Sequence, residues 1–191
     1  MNIDKKVLTP DSIIQLLSRP VVDRRPITRT IAVRASLSAL LLALEHATSS
    51  HVKEIVSNIL GNRHNARAVP SLLNVLTDSS SGVRASAADA LAKIRNPTAG
   101  PTLLSRFRAE RNNGVRQMLA LALGATGYRP SAAALIASLT DKSGALRGCA
   151  AWSLGILRVR EANKALRHAL TKEKDKYAAN RMKEALEQIN K

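Results

Sequence analysis

Apolar residues recur at a fixed helical spacing along most of the chain. Counting from Val115 as position 0, apolar side chains return at positions 3, 4, 7 and 8, at Met118, Leu119, Ala122 and Leu123. The stretch that begins at Leu146 follows the same spacing. Residues three and four apart share one face of a helix, so the pattern predicts a series of amphipathic α-helices, each with one buried face.

The helical pattern repeats with a period of 31 or 32 residues. The residues at position 0 of successive copies are Val52, Val83, Val115, Leu146 and Ala178. A shorter apolar stretch precedes most copies, at 69–76, 100–107, 132–139 and 162–170. We expect each repeat to be a pair of helices, and 31–44 with 51–61 to form the first pair. Self-similarity at this period is typical of a stacked repeat architecture.

Small and cap-forming residues mark the repeat boundaries. Position 9 holds Gly or Ala, which predicts close approach between neighbouring second helices: Gly61, Ala92, Gly124 and Gly155. Prolines occur where a first helix should begin, and a missing N–H is tolerated there. Three polar residues are predicted to cap the second helices by accepting from free N–H groups: Ser81, Asn113 and Ser143.

The motif D-x(3–4)-VR-x2-AA-x-ALG resembles the HEAT-like repeat of phycobilisome lyases. Asp78 with Val83 and Arg84 fits it, as does Asp141 with Leu146 and Arg147. The resemblance covers residues 48–190. It implies an all-α fold, a right-handed α-solenoid of about five HEAT-like helix pairs with an N-terminal helical cap. It carries over no catalytic residue, and a bilin lyase-like activity is the remote functional alternative that it implies.

The N-terminal part departs from the repeat. Residues 1–30 are predicted to hold a short helix at 11–18 and an extended basic connector, before an array over 31–191. The connector could clamp a phosphate backbone or cover the end of the array as a cap. Its arginines form a predicted basic arm: Arg19, Arg24, Arg25 and Arg29.

The formal net charge of +16, from 30 basic and 14 acidic residues, favours an acidic partner. Position 1 of each repeat is basic, at Lys53, Arg84, Arg116 and Arg147. These four are interpreted as structural residues that join neighbouring repeats. The turns between repeats carry a second set, predicted to form a basic edge that could meet phosphates or an acidic helix: Arg63, Arg67, Arg95, Arg129, Arg158 and Arg160.

The inner, concave face of the second helices is the candidate partner-binding surface. Position 6 should point out of the stack there, and it places Leu121 next to Trp152, one repeat apart, with small residues at position 2 as a floor. The predicted surface comprises Leu121, Trp152, Asp89 and Gln117. The alternative is that Trp152 folds over a loop and is mostly buried.

No catalytic, cofactor or metal site is predicted, and no small-molecule substrate is evident. The four histidines share no metal-ligand spacing, and Cys149 falls at an apolar position, as an inert core thiol would. A single cysteine excludes an internal disulfide framework and predicts a reducing, cytoplasmic location. The apolar run at 13–17 is too short for a signal peptide, and 31–44 carries Arg34, so no membrane span is expected.

Two binding functions remain open from the sequence, beside the remote lyase-like alternative. The leading interpretation is a non-enzymatic scaffold that binds an acidic protein through the concave face and the basic edge. The alternative is sequence-independent nucleic-acid binding through the basic edge and the basic arm. Only four residues are aromatic, which argues against single-strand stacking sites.

Overall fold

The computed structural model describes residues 7–19 and 25–191 of the chain, which form α-helices joined by short turns. The helices are α1 (Pro10–Ser18), α2 (Arg25–Arg34), α3 (Leu37–His46), α4 (Ser50–Asn62), α5 (Val69–Val75), α6 (Ser81–Ile94), α7 (Gly100–Ala109), α8 (Asn113–Ala125), α9 (Ala132–Ala137), α10 (Gly144–Ile156), α11 (Asn163–Lys172) and α12 (Lys176–Asn190). Single 3-10 turns lead into α5, α7, α9 and α11, at Ala66–Ala68, Pro97–Ala99, Arg129–Ser131 and Arg160–Ala162.

The helices form five pairs stacked as a right-handed α-solenoid, as the sequence pattern predicts. In each pair the first helix packs on its own second helix. The second helices α4, α6, α8, α10 and α12 contact one another in succession and make the most extensive interfaces of the fold. The buried apolar residues run through the whole stack as one aliphatic, Ala-rich core. Each repeat therefore depends on its neighbours for burial of its apolar face.

Close approach of the second helices is confirmed at the predicted small residues. A Cβ placed on Gly61 would lie 2.6 Å from the Cα of Ala90 on the next second helix. A Cβ on Gly124 would lie 2.8 Å from the Cα of Ser153 in the same way. Both distances are below van der Waals contact, so glycine is required where these backbones meet.

The N-terminal region differs from the prediction in two respects. Residues 25–34 are helical in α2, so this part of the basic connector is not extended. Residues 31–44 do not form one helix, because α2 ends at Arg34 and α3 begins at Leu37. The Oγ of Ser36 accepts the backbone N–H of Ala39 at 3.1 Å, which caps α3 and fixes the break. Arg24 lies outside the described residues.

The caps of the second helices lie one residue earlier than predicted in two repeats. The side chains of Ser80 and Asn112 accept the N–H groups of Val83 and Val115, so Ser81 and Asn113 are not the capping residues. Ser143 caps α10 as predicted.

No helix within the described ranges is long and apolar enough to cross a membrane. The thiol of Cys149 is buried in the core, and burial raises its pKa. A protonated, enclosed thiol is a poor nucleophile, which agrees with the structural role predicted for this cysteine.

Candidate functional site

The basic residues at position 1 form an ion-pair ladder between repeats, as predicted. Each extends from a second helix to a carboxylate in the loop before the next second helix. The four pairs are Lys53–Asp78 at 2.7 Å, Arg84–Glu110 at 2.8 Å, Arg116–Asp141 at 2.8 Å and Arg147–Glu173 at 2.6 Å. Because every pair is neutral, the net charge of +16 resides on the other residues.

The ladder carboxylates are held ionised by their partners. The hydrogen bond from Arg84 lowers the pKa of Glu110 to about 2, with help from the backbone N–H groups of Asn112 and Arg111. The bond from Arg147 likewise lowers the pKa of Glu173 to about 2. Arg84 also donates to the backbone carbonyl of Asp78 at 2.9 Å, so one guanidinium joins two consecutive loops. These cations are paired within the protein.

The predicted basic edge divides into engaged and exposed arginines. Arg63 is partly buried and donates to the carbonyls of Ala32 and Ala35 at 2.8 and 2.7 Å, so it fixes the end of α2. Its guanidinium is therefore engaged within the protein, unlike that of an edge residue free to meet a partner. Arg129 donates to the carbonyl of Leu157 at 2.9 Å but stays exposed. The remaining members of the basic edge are exposed: Arg67, Arg95, Arg158 and Arg160.

A shallow cavity of about 470 Å³, the central cavity, opens on the row of second helices. It brings together three of the four predicted concave-face residues, Leu121, Trp152 and Asp89. Trp152 is neither fully buried nor fully exposed, and its ring forms one wall. The lining residues all come from second helices or the turns after them: His64, Asp89, Ala92, Lys93, Arg95, Met118, Leu121, Ala125 and Trp152.

Two predicted features of this surface differ in the structure. Gln117 is not among the residues that line the central cavity. The ring of Tyr177 lies directly over Gly148, so Gly148 is buried and does not form part of an open floor. The floor is formed by Ala92 and Ala125 instead.

Basic groups occupy one end of the central cavity. Lys93 pairs with Asp89 at 2.8 Å, and both side chains remain more than a third exposed. Arg95 is exposed, and no hydrogen bond or ion pair joins its guanidinium to the described part of the chain. The Nδ1 of His64 lies 2.8 Å from the carbonyl oxygen of Lys93. A carbonyl only accepts, so Nδ1 carries the proton and donates, which leaves Nε2 as the ring's other polar atom.

His64 and Arg95 hold an unusual backbone conformation. Their φ angles are 51° and 58°, in the left-handed region that favours glycine. Both occupy position 12, just past the end of a second helix, where the third repeat has Gly127 at φ 72°. His64 and Arg95 therefore occupy a position where glycine would be less strained. Strain of this kind clusters at binding and catalytic sites.

The sequence interpretation missed several lining residues that repeat positions could have revealed. Lys93 and Ala125 share position 10, one helical turn after position 6, and therefore lie on the same face as Leu121. His64 was considered only as a metal ligand. Among the residues that the structure describes, no group of three or more His, Cys, Asp or Glu side chains could hold a metal ion.

The basic arm contributes to a second cavity of about 430 Å³, the N-terminal cavity, between α2 and α4. Arg25 and Arg29 line one side of it, and Asn58 and Asn62 line the other. Arg19 follows α1 and is exposed. The arm is therefore not a free extension where it is described, because α2 lies against the first repeat.

A family profile of HEAT repeats matches residues 37–124 and 100–187. The chain belongs to the HEAT repeat family. The two matched ranges overlap and together span all five helix pairs of the HEAT array. No curated protein matches the sequence.

Solved structures show the same fold at low sequence identity. The X-ray structure of the YibA protein of Escherichia coli has a TM-score of 0.67 at 20% identity, over 90% of this chain and 67% of that chain. The complex of CpcE and CpcF of phycocyanin lyase from Nostoc sp. PCC7120 has a TM-score of 0.63 at 22% identity, over 78% and 96%. A designed armadillo repeat protein in complex with the peptide (KR)4 has a TM-score of 0.61 at 18% identity, over 95% and 91%.

Proposed function

We propose that this HEAT repeat protein is a non-enzymatic scaffold that binds an acidic protein partner through the central cavity and the adjoining basic edge. The observation that carries the proposal is the composition of that cavity. Leu121, Met118 and Trp152 supply apolar walls, and Arg95 supplies an exposed cation at one end. The fold is a repeat scaffold of a kind compatible with protein binding.

The energetics of such a cavity favour a protein ligand. An apolar pair gains little while it faces water and more when a partner side chain covers it, at about 25 cal/mol per Å² of apolar area. Tryptophan and arginine are the residues that most often dominate interface energies. Phosphate backbones offer charge but little apolar surface, so they would leave Leu121 and Trp152 uncovered.

Nucleic-acid binding is the competing function, supported by the net charge of +16 and the exposed arginines of the basic edge. The lyase resemblance supports the fold and supplies no assigned catalytic residue for this chain. The two binding modes differ in salt dependence, because phosphate contacts release counterions and apolar contacts do not.

A selection experiment separates the two. The full chain is used to select from a display library of random peptides about twelve residues long, with the Trp152→Ala variant as counter-target. A labelled short DNA duplex is titrated in parallel at about 50 and 200 mM salt. We expect peptides that bind the parent and bind Trp152→Ala about 30-fold more weakly, equivalent to about 2 kcal/mol.

The single tryptophan reports the contact directly. Peptide binding should shield Trp152 from iodide quenching, whereas Trp152→Ala should change the free energy of unfolding by less than about 1.5 kcal/mol. Selection of no Trp152-dependent peptide, together with duplex binding that weakens steeply with salt, would refute the scaffold proposal and support nucleic-acid binding.

A further inference from the structure

We infer that the occupant is an extended peptide segment with one large apolar anchor in the central cavity and acidic residues that run from it toward the N-terminal end of the array. This inference rests on the proposed function and specifies its ligand. Three observations support it: the continuity of the two cavities, the two exposed arginines on the N-terminal side of the anchor, and the regular succession of the second helices.

The central and N-terminal cavities lie along one row. Asn58 and Asn62 hold positions 6 and 10 on α4, the positions that Asp89 and Lys93 hold on α6. Position 6 continues through Leu121 on α8. The same face of successive second helices therefore lines both cavities, and a chain that crosses the helices can occupy the two in order.

Two exposed cations lie along this row on the N-terminal side of the apolar walls. The C-terminal end of the row carries Glu184 at position 6 of α12, and this residue is exposed and paired with Arg181. The apolar walls come next, at α10 and α8. Arg95 follows at α6, and Arg29 lies beyond α4 in the N-terminal cavity. The acids of the row, Asp89 and Glu184, are each paired with a cation, whereas Arg95 and Arg29 are not. Acidic residues on the ligand are therefore favoured on the N-terminal side of the anchor, where these two arginines line the cavities.

Arg29 is suited to the distal end of the ligand. It is exposed, and its side chain has no ion pair or hydrogen bond with the described part of the chain. The helix that carries it is held in place, because Arg63 donates to carbonyls at the end of α2. Arg29 therefore presents its charge from a fixed backbone.

An extended ligand fits the row better than a helical one. The side-chain amides of Asn58 and Asn62 both donate and accept, so they can pair with the N–H and C=O groups of a passing backbone. An extended chain leaves those groups unpaired, whereas a helix pairs them internally. The backbone of an extended ligand can thus form hydrogen bonds with the side-chain amides of Asn58 and Asn62 in the N-terminal cavity.

The helix spacing fixes the expected sequence spacing in the ligand. Neighbouring second helices lie about 10 Å apart, and an extended chain advances about 3.3 Å per residue. An acid that meets Arg95, one helix from Leu121, should lie about three residues from the anchor. An acid that reaches Arg29, past α4, should lie at least about six residues away. A helical ligand would need roughly twice these separations, because it rises about 1.5 Å per residue.

The test uses Trp152-dependent peptides from the selection and measures their affinity for three variants of the full chain. Arg95→Gln should weaken binding about five- to tenfold, and Arg29→Gln about threefold. Arg111→Gln is the matched control, an exposed arginine outside both cavities, and should change nothing. Each peptide acid is then replaced by glutamine in turn.

Pairing of the acids with the arginines is the expected result. Removal of the acid about three residues from the anchor should abolish the effect of Arg95→Gln alone. Removal of the distal acid should abolish only the effect of Arg29→Gln. Trp152-dependent peptides with acids that pair with neither arginine would overturn this inference and leave the scaffold function intact. Trp152-dependent peptides with no acidic preference would overturn this inference and the acidic character of the proposed partner, while protein binding at the central cavity would stand. Failure to select any Trp152-dependent peptide would overturn both this inference and the scaffold proposal on which it rests.

Discussion

The residue at position 12 of the first four repeats adopts a backbone conformation suited to glycine, yet only one of the four has glycine there. His64, Arg95 and Arg158 have φ angles of 51°, 58° and 49°, and Gly127 has 72°. A side chain in the left-handed region costs on the order of 1 kcal/mol. The exposed arginine at 95 therefore reduces stability slightly while it places a cation at the end of the central cavity.

Replacement of Arg95 by glycine should separate these two effects. Arg95→Gly is expected to raise the free energy of unfolding by about 0.5–1 kcal/mol, because glycine adopts this φ without strain. The same change should weaken acidic peptide binding, because the cation is lost. Denaturant unfolding and peptide titration measure the two quantities on one sample.

Gly127→Ala is the matched control for the conformational part. No heavy atom lies within 4 Å of a Cβ placed on Gly127, so only the backbone conformation is affected. This variant should lose about 1 kcal/mol of stability. If Arg95→Gly proves less stable than the parent, the guanidinium makes a stabilising contact and the account of strain at this position is incorrect.

Ser57 places a polar hydroxyl in the apolar core. Its hydroxyl is fully buried on α4 and has no hydrogen-bond partner among the described residues. The equivalent residues of the next three repeats are Ala88, Ala120 and Ala151, all fully buried. Ser57→Ala should therefore stabilise the protein by about 1–2 kcal/mol, since it removes an unpaired polar group and improves helix propensity.

Thermal unfolding at constant pH measures this effect. Ser153→Ala serves as the contrasting control, because the Ser153 hydroxyl donates to the carbonyl of Ala120 at 2.8 Å. Loss of that bond should leave stability unchanged or lower. A lower unfolding temperature for Ser57→Ala would mean that its hydroxyl has an acceptor after all.

At the scale of helices, the separation between α8 and α10 depends on the absence of a side chain at Gly124. A Cβ there would lie 2.6–2.8 Å from atoms of Ser153, including its Cα. Gly124→Ala should push the two helices apart and destabilise the array by about 1–3 kcal/mol, despite the better helix propensity of alanine.

Gly114→Ala is the comparison for this prediction. Gly114 also lies in α8, at its exposed first turn, and a Cβ there would be no closer than 3.3 Å to the Asn112 side chain. Equal stability changes for Gly124→Ala and Gly114→Ala, measured by denaturant unfolding, would show that helix contact does not set the preference for glycine.

Much of the helix arrangement follows from the sequence, and the exceptions have local causes. The 31- or 32-residue period and the face of each second helix are evident because residues such as Val115 and Leu119 must be buried. The break before Leu37 could not be read from an apolar run, because it depends on a single cap at Ser36. The caps at Ser80 and Asn112 were misplaced by one because Ser81 and Asn113 are equally plausible hydrogen-bond acceptors.

The site was less predictable than the fold. Position 6 identified Leu121 and Trp152, because helical geometry alone determines which residues share a face. The engagement of Arg63 depends on the end of α2, which does not belong to the repeat. The ring of Tyr177 over Gly148 comes from the following repeat. Both contacts join residues that the repeat pattern does not relate to each other, so they could not be predicted from the sequence.

For the whole molecule, the ion-pair ladder links stability to acidity. The pKa values of Glu110 and Glu173 are lowered from 4.5 to about 2, so both glutamates stabilise the fold fully above pH 4.5. Their contribution should be lost as the pH falls from about 4.5 to about 2, because the unfolded chain binds protons first. The loss is on the order of 2–3 kcal/mol per glutamate.

Unfolding free energies measured across this pH range test the link. A Glu110→Gln, Glu173→Gln double variant should be less stable at neutral pH and should show a flatter profile below pH 4.5. The exposed Glu184 offers the control, since Glu184→Gln should leave the shape of the profile unchanged. A double variant with the parent's acid sensitivity would assign acid unfolding to other groups.

The ladder also bears on how a chain of this kind can change length. Every joint uses the same two positions, a cation on one second helix and a carboxylate before the next, so the joints are chemically interchangeable. Excision of one period, for example residues 84–115, would bring Arg116 into the place of Arg84 while Arg116 keeps its own partner, Asp141. Unequal recombination between copies could thus shorten or lengthen the array without creating an unpaired buried charge.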